Sequence, residues 1–179
     1  MLEPHDRAVL LAALRPPDGF VVDRAIATTF TLDLTALLTA PLAFSMYDGL
    51  LASDRGKAGG GAVDVLDPYA LLKAVRGHAD RLTVFCQATR IAPPAKYRRL
   101  LGYLEGCVVQ VQARKDDGIF HPKLWVLRFT RPADDEVRYR VLCSSRNLTF
   151  DRSWDTLLSL DGETTRRTNA FAENHPPGG

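Results

Sequence analysis

The sequence predicts an α/β domain with a mixed, largely parallel sheet flanked by helices on both faces. Three observations carry that expectation. Helical and strand patterns alternate through the middle of the chain at a spacing of ~10–15 residues, which suits parallel strands joined by crossover helices. The last third instead holds two strand patterns around a short polar turn, an antiparallel hairpin. The composition of the 179 residues, 46% hydrophobic and 25% charged, is that of a folded domain and too apolar for a disordered chain.

The elements follow in order. Asp6 to Leu14 has a short helical pattern, stopped by Arg15-Pro16-Pro17-Asp18-Gly19. Val21 to Leu32 is rich in residues that favour extended backbone. Asp33 suits the N-cap of a helix carrying Leu34, Leu37 and Leu38 on one face, and Pro41 predicts a kink or an early end. Gly56, Gly59, Gly60 and Gly61 lie in a stretch without the ending of a phosphate-binding loop, so a surface loop is expected there. Asp67-Pro68 opens a helix to about Gly77, with the proline at the first helical position. Leu82 to Gln87 is a buried strand. Ala92-Pro93-Pro94 leads into a helix with Tyr97, Leu100, Leu101 and Leu104, and Cys107 to Val111 is the next strand. Ile119 to Thr130 and Val137 to Ser144 flank the turn Arg131–Glu136, and a further strand covers Asp155 to Leu160. Residues 1–162 thus form one domain. Residues 163–179 form a polar tail ending Pro176-Pro177-Gly178-Gly179, a linker or the cut end of a longer chain.

Cys86, Cys107 and Cys143 are widely spaced in apolar surroundings, with no zinc-type spacing, so buried free thiols in a reducing compartment are expected. The longest uncharged apolar run, Leu34 to Tyr47, is interrupted by Pro41 and falls short of the ~20 residues of a spanning helix. The first residues lack a basic secretory start, and the expected location is the cytoplasm.

The chemistry-bearing residues cluster late in the chain. His121 and Lys123, two apart on an expected strand, point the same way. The returning strand ends at Cys143-Ser144, so the hairpin sets Ser145 and Asn147 beside them. A neutral imidazole can displace an alcohol from a phosphodiester and form a phosphohistidine. Lys123 supplies positive charge for the non-bridging oxygens, and Asn147 and Ser145 can donate hydrogen bonds to them. Ser144 and Arg146 extend the candidate substrate-binding set. Asn147-Leu148-Thr149 is expected to begin a helical turn whose free N–H groups favour anions. Asp155 is a candidate partner for the second ring nitrogen of His121.

His121-x-Lys123 followed by Ser145-x-Asn147 resembles the phospholipase D superfamily, the HKD phosphodiesterases, over about Ile119 to Asp161. The resemblance implies an α-β-α sandwich, covalent catalysis through His121, phosphate binding by Lys123 and Asn147, and neither metal nor cofactor. Arg128 stands where the family carries an aspartate, and Ser144 where it usually has glycine. The family's site uses two motifs and this chain has one, since His5, His78 and His175 lack a lysine two residues on. A homodimer with facing motifs, or a second motif elsewhere in a longer chain, would complete it.

Charge points to the substrate. Residues 90–152 carry 13 Lys+Arg and 7 Asp+Glu, whereas the rest carries 10 and 14. Lys96, Arg98, Arg99, Arg114, Lys115, Arg138, Arg140 and Arg146 could track a phosphate backbone. With no amphipathic membrane helix evident, a nucleic acid is favoured over a phospholipid, and no stable membrane association is expected. The expected function is a metal-independent phosphodiesterase of nuclease type. Two alternatives share the motif: a non-catalytic nucleic-acid-binding or dimerisation module, and a lipid phosphodiesterase or transferase.

Overall fold

The computed structural model describes residues 10–45, 68–92, 94, 99–114, 118–150 and 155–164. Helix α1 (Leu10–Ala13) precedes strand β1 (Val21–Thr29) and the short β2 (Leu32–Asp33). Helix α2 (Leu34–Leu37) follows, then α3 over 39–45 and α4 (Pro68–His78). Strands β3 (Leu82–Gln87), β4 (Ile91–Ala92) and β5 (Val108–Val111) alternate with a 3-10 turn and α5 (Gly102–Glu105). Strands β6 (Leu124–Arg131), β7 (Glu136–Ser144) and β8 (Leu157–Glu163) complete the order.

The protein is therefore α/β, with one six-stranded mixed sheet in the order β5-β3-β1-β6-β7-β8. On one side of β1 the pairing is parallel, to β3 and onward to β5. On the other side it is antiparallel, through β6, β7 and β8. β1 is the seam between the two halves. β2 and β4 pair in parallel as a small second sheet.

Alternation along the strands sets the core. Val22, Ala25, Ala27 and Thr29 of β1 are buried, as are Leu82, Val84 and Cys86 of β3 and Trp125, Leu127 and Phe129 of β6. The step of three from Val22 to Ala25 marks a bulge: the register with β6 shifts between Val22 and Arg24. Asp23, the extra residue, forms an ion pair with Arg128 on β6. Leu14, Leu34, Leu37, Phe44, Val75, Leu101 and Leu104 from the helical segments join the same buried cluster. The alternate strand positions Ile26, Val109, Val126, Leu158 and Leu160 are exposed among the described residues.

Local chemistry explains the helix starts. Asp33 is extended, and its carboxylate accepts the Thr35 N–H at 2.7 Å. The helical run breaks at Leu38, before Pro41, and resumes at 39, which puts the proline in a first turn where its missing N–H has no partner to lose. In the β6–β7 turn, Asp135 adopts positive φ, and the Arg131 guanidinium beside Asp134 holds that carboxyl below its ordinary range.

Several boundaries differ from expectation. β6 begins at Leu124, not near Ile119, so His121 and Lys123 lie in the segment leading into the strand rather than within it. β8 begins at Leu157 and leaves Asp155 ahead of it. Cys86 and Cys107 are buried as expected, but Cys143 is exposed, because it occupies an alternate position of β7 on the face away from the core. The glycine-rich stretch over 56–61 lies outside the described residues. Among the described residues, no helix is long and apolar enough to cross a membrane.

Burial pushes the Cys86 and Cys107 thiols up, with the Asp80 carboxylate adding to the effect on Cys107. A thiol-specific reagent at mildly alkaline pH should therefore modify Cys143 first, and Cys86 and Cys107 only after denaturation. Mass spectrometry of timed samples checks this, and early modification of Cys86 would show the core face of β3 to be open.

Candidate active site

The candidate site lies at the C-terminal end of β1. Thr29, the last residue of that strand, is fully buried. Its hydroxyl donates to the Thr31 carbonyl at 2.7 Å and accepts the Leu148 N–H at 3.1 Å. The Asn147 carbonyl oxygen accepts the N–H groups of Phe30 at 3.3 Å and Thr31 at 3.4 Å. The Asp33 N–H donates to the Leu148 carbonyl at 2.8 Å, and Leu148 bridges Leu32 in parallel. The chain leaving β7 is thus laced to the chain leaving β1. Two backbone donors on Oδ1 fix the orientation of the amide, so the Asn147 NH2 is the end available to an anion.

His121 reaches the same place from the segment that leads into β6. Its ring packs against Phe30 at 4.8 Å between centroids, tilted by 53°. The Phe120 N–H donates to the Gln87 side-chain oxygen at 2.6 Å, which ties the His121 segment to the end of β3. At the start of β6, the Leu124 N–H donates to the Thr28 hydroxyl at 2.9 Å. Lys123 Nζ lies 3.1 Å from His121 Nδ1 and 3.2 Å from Nε2. Both ring nitrogens are thus within hydrogen-bond distance of the ammonium. Phe30 joins the two halves of the site: its N–H holds Asn147 and its ring supports His121.

Other candidates lie elsewhere. Asp155 does not contact His121. Its carboxylate accepts the Ser145 hydroxyl at 3.2 Å and lies 3.5 Å from the Arg146 guanidinium. The strand order explains this: β8 is separated from β6 by β7, so the approach to β8 meets the end of β7 first. Ser145 is held at the same junction. Its hydroxyl also accepts the Thr156 N–H at 2.9 Å, and its own N–H donates to the Thr156 carbonyl at 3.1 Å. The Ser144 hydroxyl accepts the Arg146 N–H at 3.0 Å, shaping the turn, while Arg146 turns its charge to Asp155. The structure therefore links His121 and Lys123 to Asn147 through Phe30, and puts Ser144, Ser145, Arg146 and Asp155 into an adjoining network. No helical turn begins at Asn147, because Leu148 is extended and its N–H is used by Thr29.

Two of the arginines expected to track a phosphate backbone are engaged within the sheet. Arg138 pairs with Glu136 and Glu163, and Arg140 with Asp161. Arg140 further donates to the carbonyls of Ala13 and Arg15. These cations brace strands and are neutralised locally. Lys96, Arg98, Lys115, Arg152 and Trp154 lie outside the described residues. Trp125 is a core residue. His78 is buried and packs edge-on against Phe44, away from the site. No group of three or more His, Cys, Asp or Glu able to hold a metal is present among the described residues.

Thr29, Phe30, Gln87 and Arg90 were not legible as site residues. The Arg90 guanidinium lies 5.2 Å from the centre of the Phe30 ring. Thr29 and Phe30 read as ordinary strand formers, and Arg90 as one basic residue among many.

No family model and no curated protein matches the sequence. Among solved structures, the chain is similar to a mutant of yeast tyrosyl-DNA phosphodiesterase, with a TM-score of 0.40 and 14% identity. The match covers 78% of this chain and 24% of that one, so the chain spans about a quarter of the yeast enzyme's length.

The anchoring of Asn147 gives a paired prediction. Asn147→Ala leaves the Phe30 and Thr31 N–H groups without their acceptor and should cost ~1–3 kcal/mol in denaturant unfolding. Asn147→Asp keeps the acceptor and should unfold close to wild type, while losing inorganic phosphate binding in calorimetry, because a carboxylate replaces the NH2. Equal destabilisation by both changes would contradict the orientation assigned to the amide.

Proposed function

We propose that this chain is a phosphodiesterase of the phospholipase D type, acting on nucleic acid, and that it supplies one half of a two-histidine site. The observation that carries the proposal is the junction, through Phe30, of His121 and Lys123, which lead into β6, with Asn147, which follows β7.

The chemistry follows from these groups. Lys123 and the Asn147 amide hold the two non-bridging oxygens of a diester. An unprotonated ring nitrogen of His121 attacks phosphorus, the N–P bond forms, and the bond to one ester oxygen breaks. Negative charge gathering on the phosphoryl oxygens is met by the ammonium of Lys123. The departing oxygen needs a proton, and water must later lose one as it attacks the phosphohistidine. Both tasks suit a second histidine. Among the described residues, His121 is the one histidine at this junction, since His78 is buried in the core. The second comes from another copy of the chain or from a further segment of a longer one.

The first alternative, a binding module without turnover, uses the same side chains and differs only in lacking the second histidine. Cleavage of a model diester tests between them. Wild type should cleave it with or without EDTA, because Lys123 rather than a divalent cation carries the positive charge. His121→Ala should lower the rate by at least ~10³-fold, the scale of losing a nucleophile. Activity should rise more steeply than linearly with protein concentration if the second histidine comes from another copy. A variant as active as wild type, or loss of activity on chelation, would overturn the mechanism. Phosphate and nucleic-acid binding with no turnover at any concentration would favour the binding module.

A further inference from the structure

We infer that Arg90 is a substrate-specificity residue: it binds the phosphate next to the scissile one and selects a nucleic-acid strand over a substrate with a single phosphate. This rests on the proposed role of His121 for its chemistry, although the binding it describes can be measured without turnover.

Four observations support it. Phe30 touches both groups, with its ring 4.8 Å from the His121 ring and 5.2 Å from the Arg90 guanidinium carbon. The cation thus sits one aromatic side chain away from the imidazole. Arg90 is exposed, and among the described residues it makes no ion pair, whereas Arg128, Arg131, Arg138, Arg140 and Arg146 each have a carboxylate partner. Its charge is therefore available to a ligand.

The backbone of Arg90 is held in place. Its N–H donates to the Gln87 carbonyl at 3.1 Å, and its carbonyl accepts the Leu32 N–H at 3.0 Å. Thr89 before it takes positive φ, with its N–H on the Gln110 side-chain oxygen at 3.2 Å. Finally, Gln87 ties the Arg90 turn to the His121 segment, because its side-chain oxygen also accepts the Phe120 N–H. The separation between the nucleophile and the second cation is consequently set by hydrogen bonds and not left to a loose loop.

A nucleic-acid strand offers a negative charge every ~3.4 Å along its axis. With one phosphate against Lys123 and Asn147, a neighbouring one falls within reach of the long, forked side chain of Arg90, which can take two oxygens at once. A zwitterionic phospholipid has one phosphate and would bring an ammonium group toward that position, where Arg90 repels it. The same guanidinium thus favours one substrate class and disfavours the other.

The test uses a labelled single-stranded oligonucleotide and bis-p-nitrophenyl phosphate, a diester with a single phosphate. Arg90→Ala should weaken oligonucleotide binding about tenfold and lower the salt slope of log affinity by about one, the signature of one lost phosphate contact. Arg90→Lys should restore the slope but only part of the affinity. In turnover, Arg90→Ala should lower kcat/KM for the oligonucleotide at least fivefold more than for the small diester, chiefly through KM. Weaker binding with an unchanged slope would make Arg90 a structural support, and unchanged binding would remove it from the site. Either result overturns the inference even when wild type cleaves both substrates. If wild type cleaves neither but the slope still falls by one in Arg90→Ala, the inference stands and the catalytic reading fails.

Discussion

The site depends on the buried hydroxyl of Thr29. A strand that changes from parallel pairing on one side to antiparallel pairing on the other must end somewhere, and its last carbonyl and N–H groups lose their ladder partners. Here Thr29 donates to the Thr31 carbonyl and accepts from Leu148, while the Asn147 oxygen takes the N–H groups of Phe30 and Thr31. Leaving such groups buried and unpaired would cost ~1–3 kcal/mol each. The need to satisfy them brings the segment after β7 across to the end of β1, and the donor end of Asn147 arrives with it. The oxygen of one amide closes this knot, and its nitrogen is the end that the proposed function assigns to a phosphate.

The arginines divide along the same line. On β6 and β7, Arg128, Arg131, Arg138 and Arg140 face carboxylates on neighbouring strands or within the turn. These exposed or partly exposed pairs add little stability individually, but they neutralise a stretch that looks strongly basic in sequence. Among the described residues, two cations lie next to Phe30 and His121: Lys123 beside the imidazole, and Arg90 on the Phe30 ring. For Arg128, Arg138 and Arg140, charge counting along the chain missed the acidic partners Asp23, Glu163 and Asp161, which fall outside residues 90–152.

Phe30 sits between these groups without chemistry of its own. Its ring touches an imidazole and a guanidinium, and its N–H holds an amide. A half-buried aromatic in that position packs against both side chains. The proposed function takes that arrangement as preorganisation for an anion.

Much of the architecture was legible from local pattern. Strand β3 falls where alternation and apolar content put it, Asp33 caps its helix, and the hairpin folds around the Arg131–Glu136 turn. Those features depend on neighbours in sequence, and short-range sterics and hydrogen bonding determine them. Residue type and spacing singled out His121, Lys123 and Asn147, and the structure places His121 and Asn147 on either side of Phe30. The tertiary structure alone decided which polar residues share the site. Asp155 and Ser145 sit a few residues from the others in sequence, yet sheet order turns them toward β8. Thr29, Phe30, Gln87 and Arg90 are distant in sequence, yet the ends of β1 and β3 deliver them to His121. Strand order and the pairing of groups orphaned at strand ends are long-range properties, and no local stretch of sequence encodes either one.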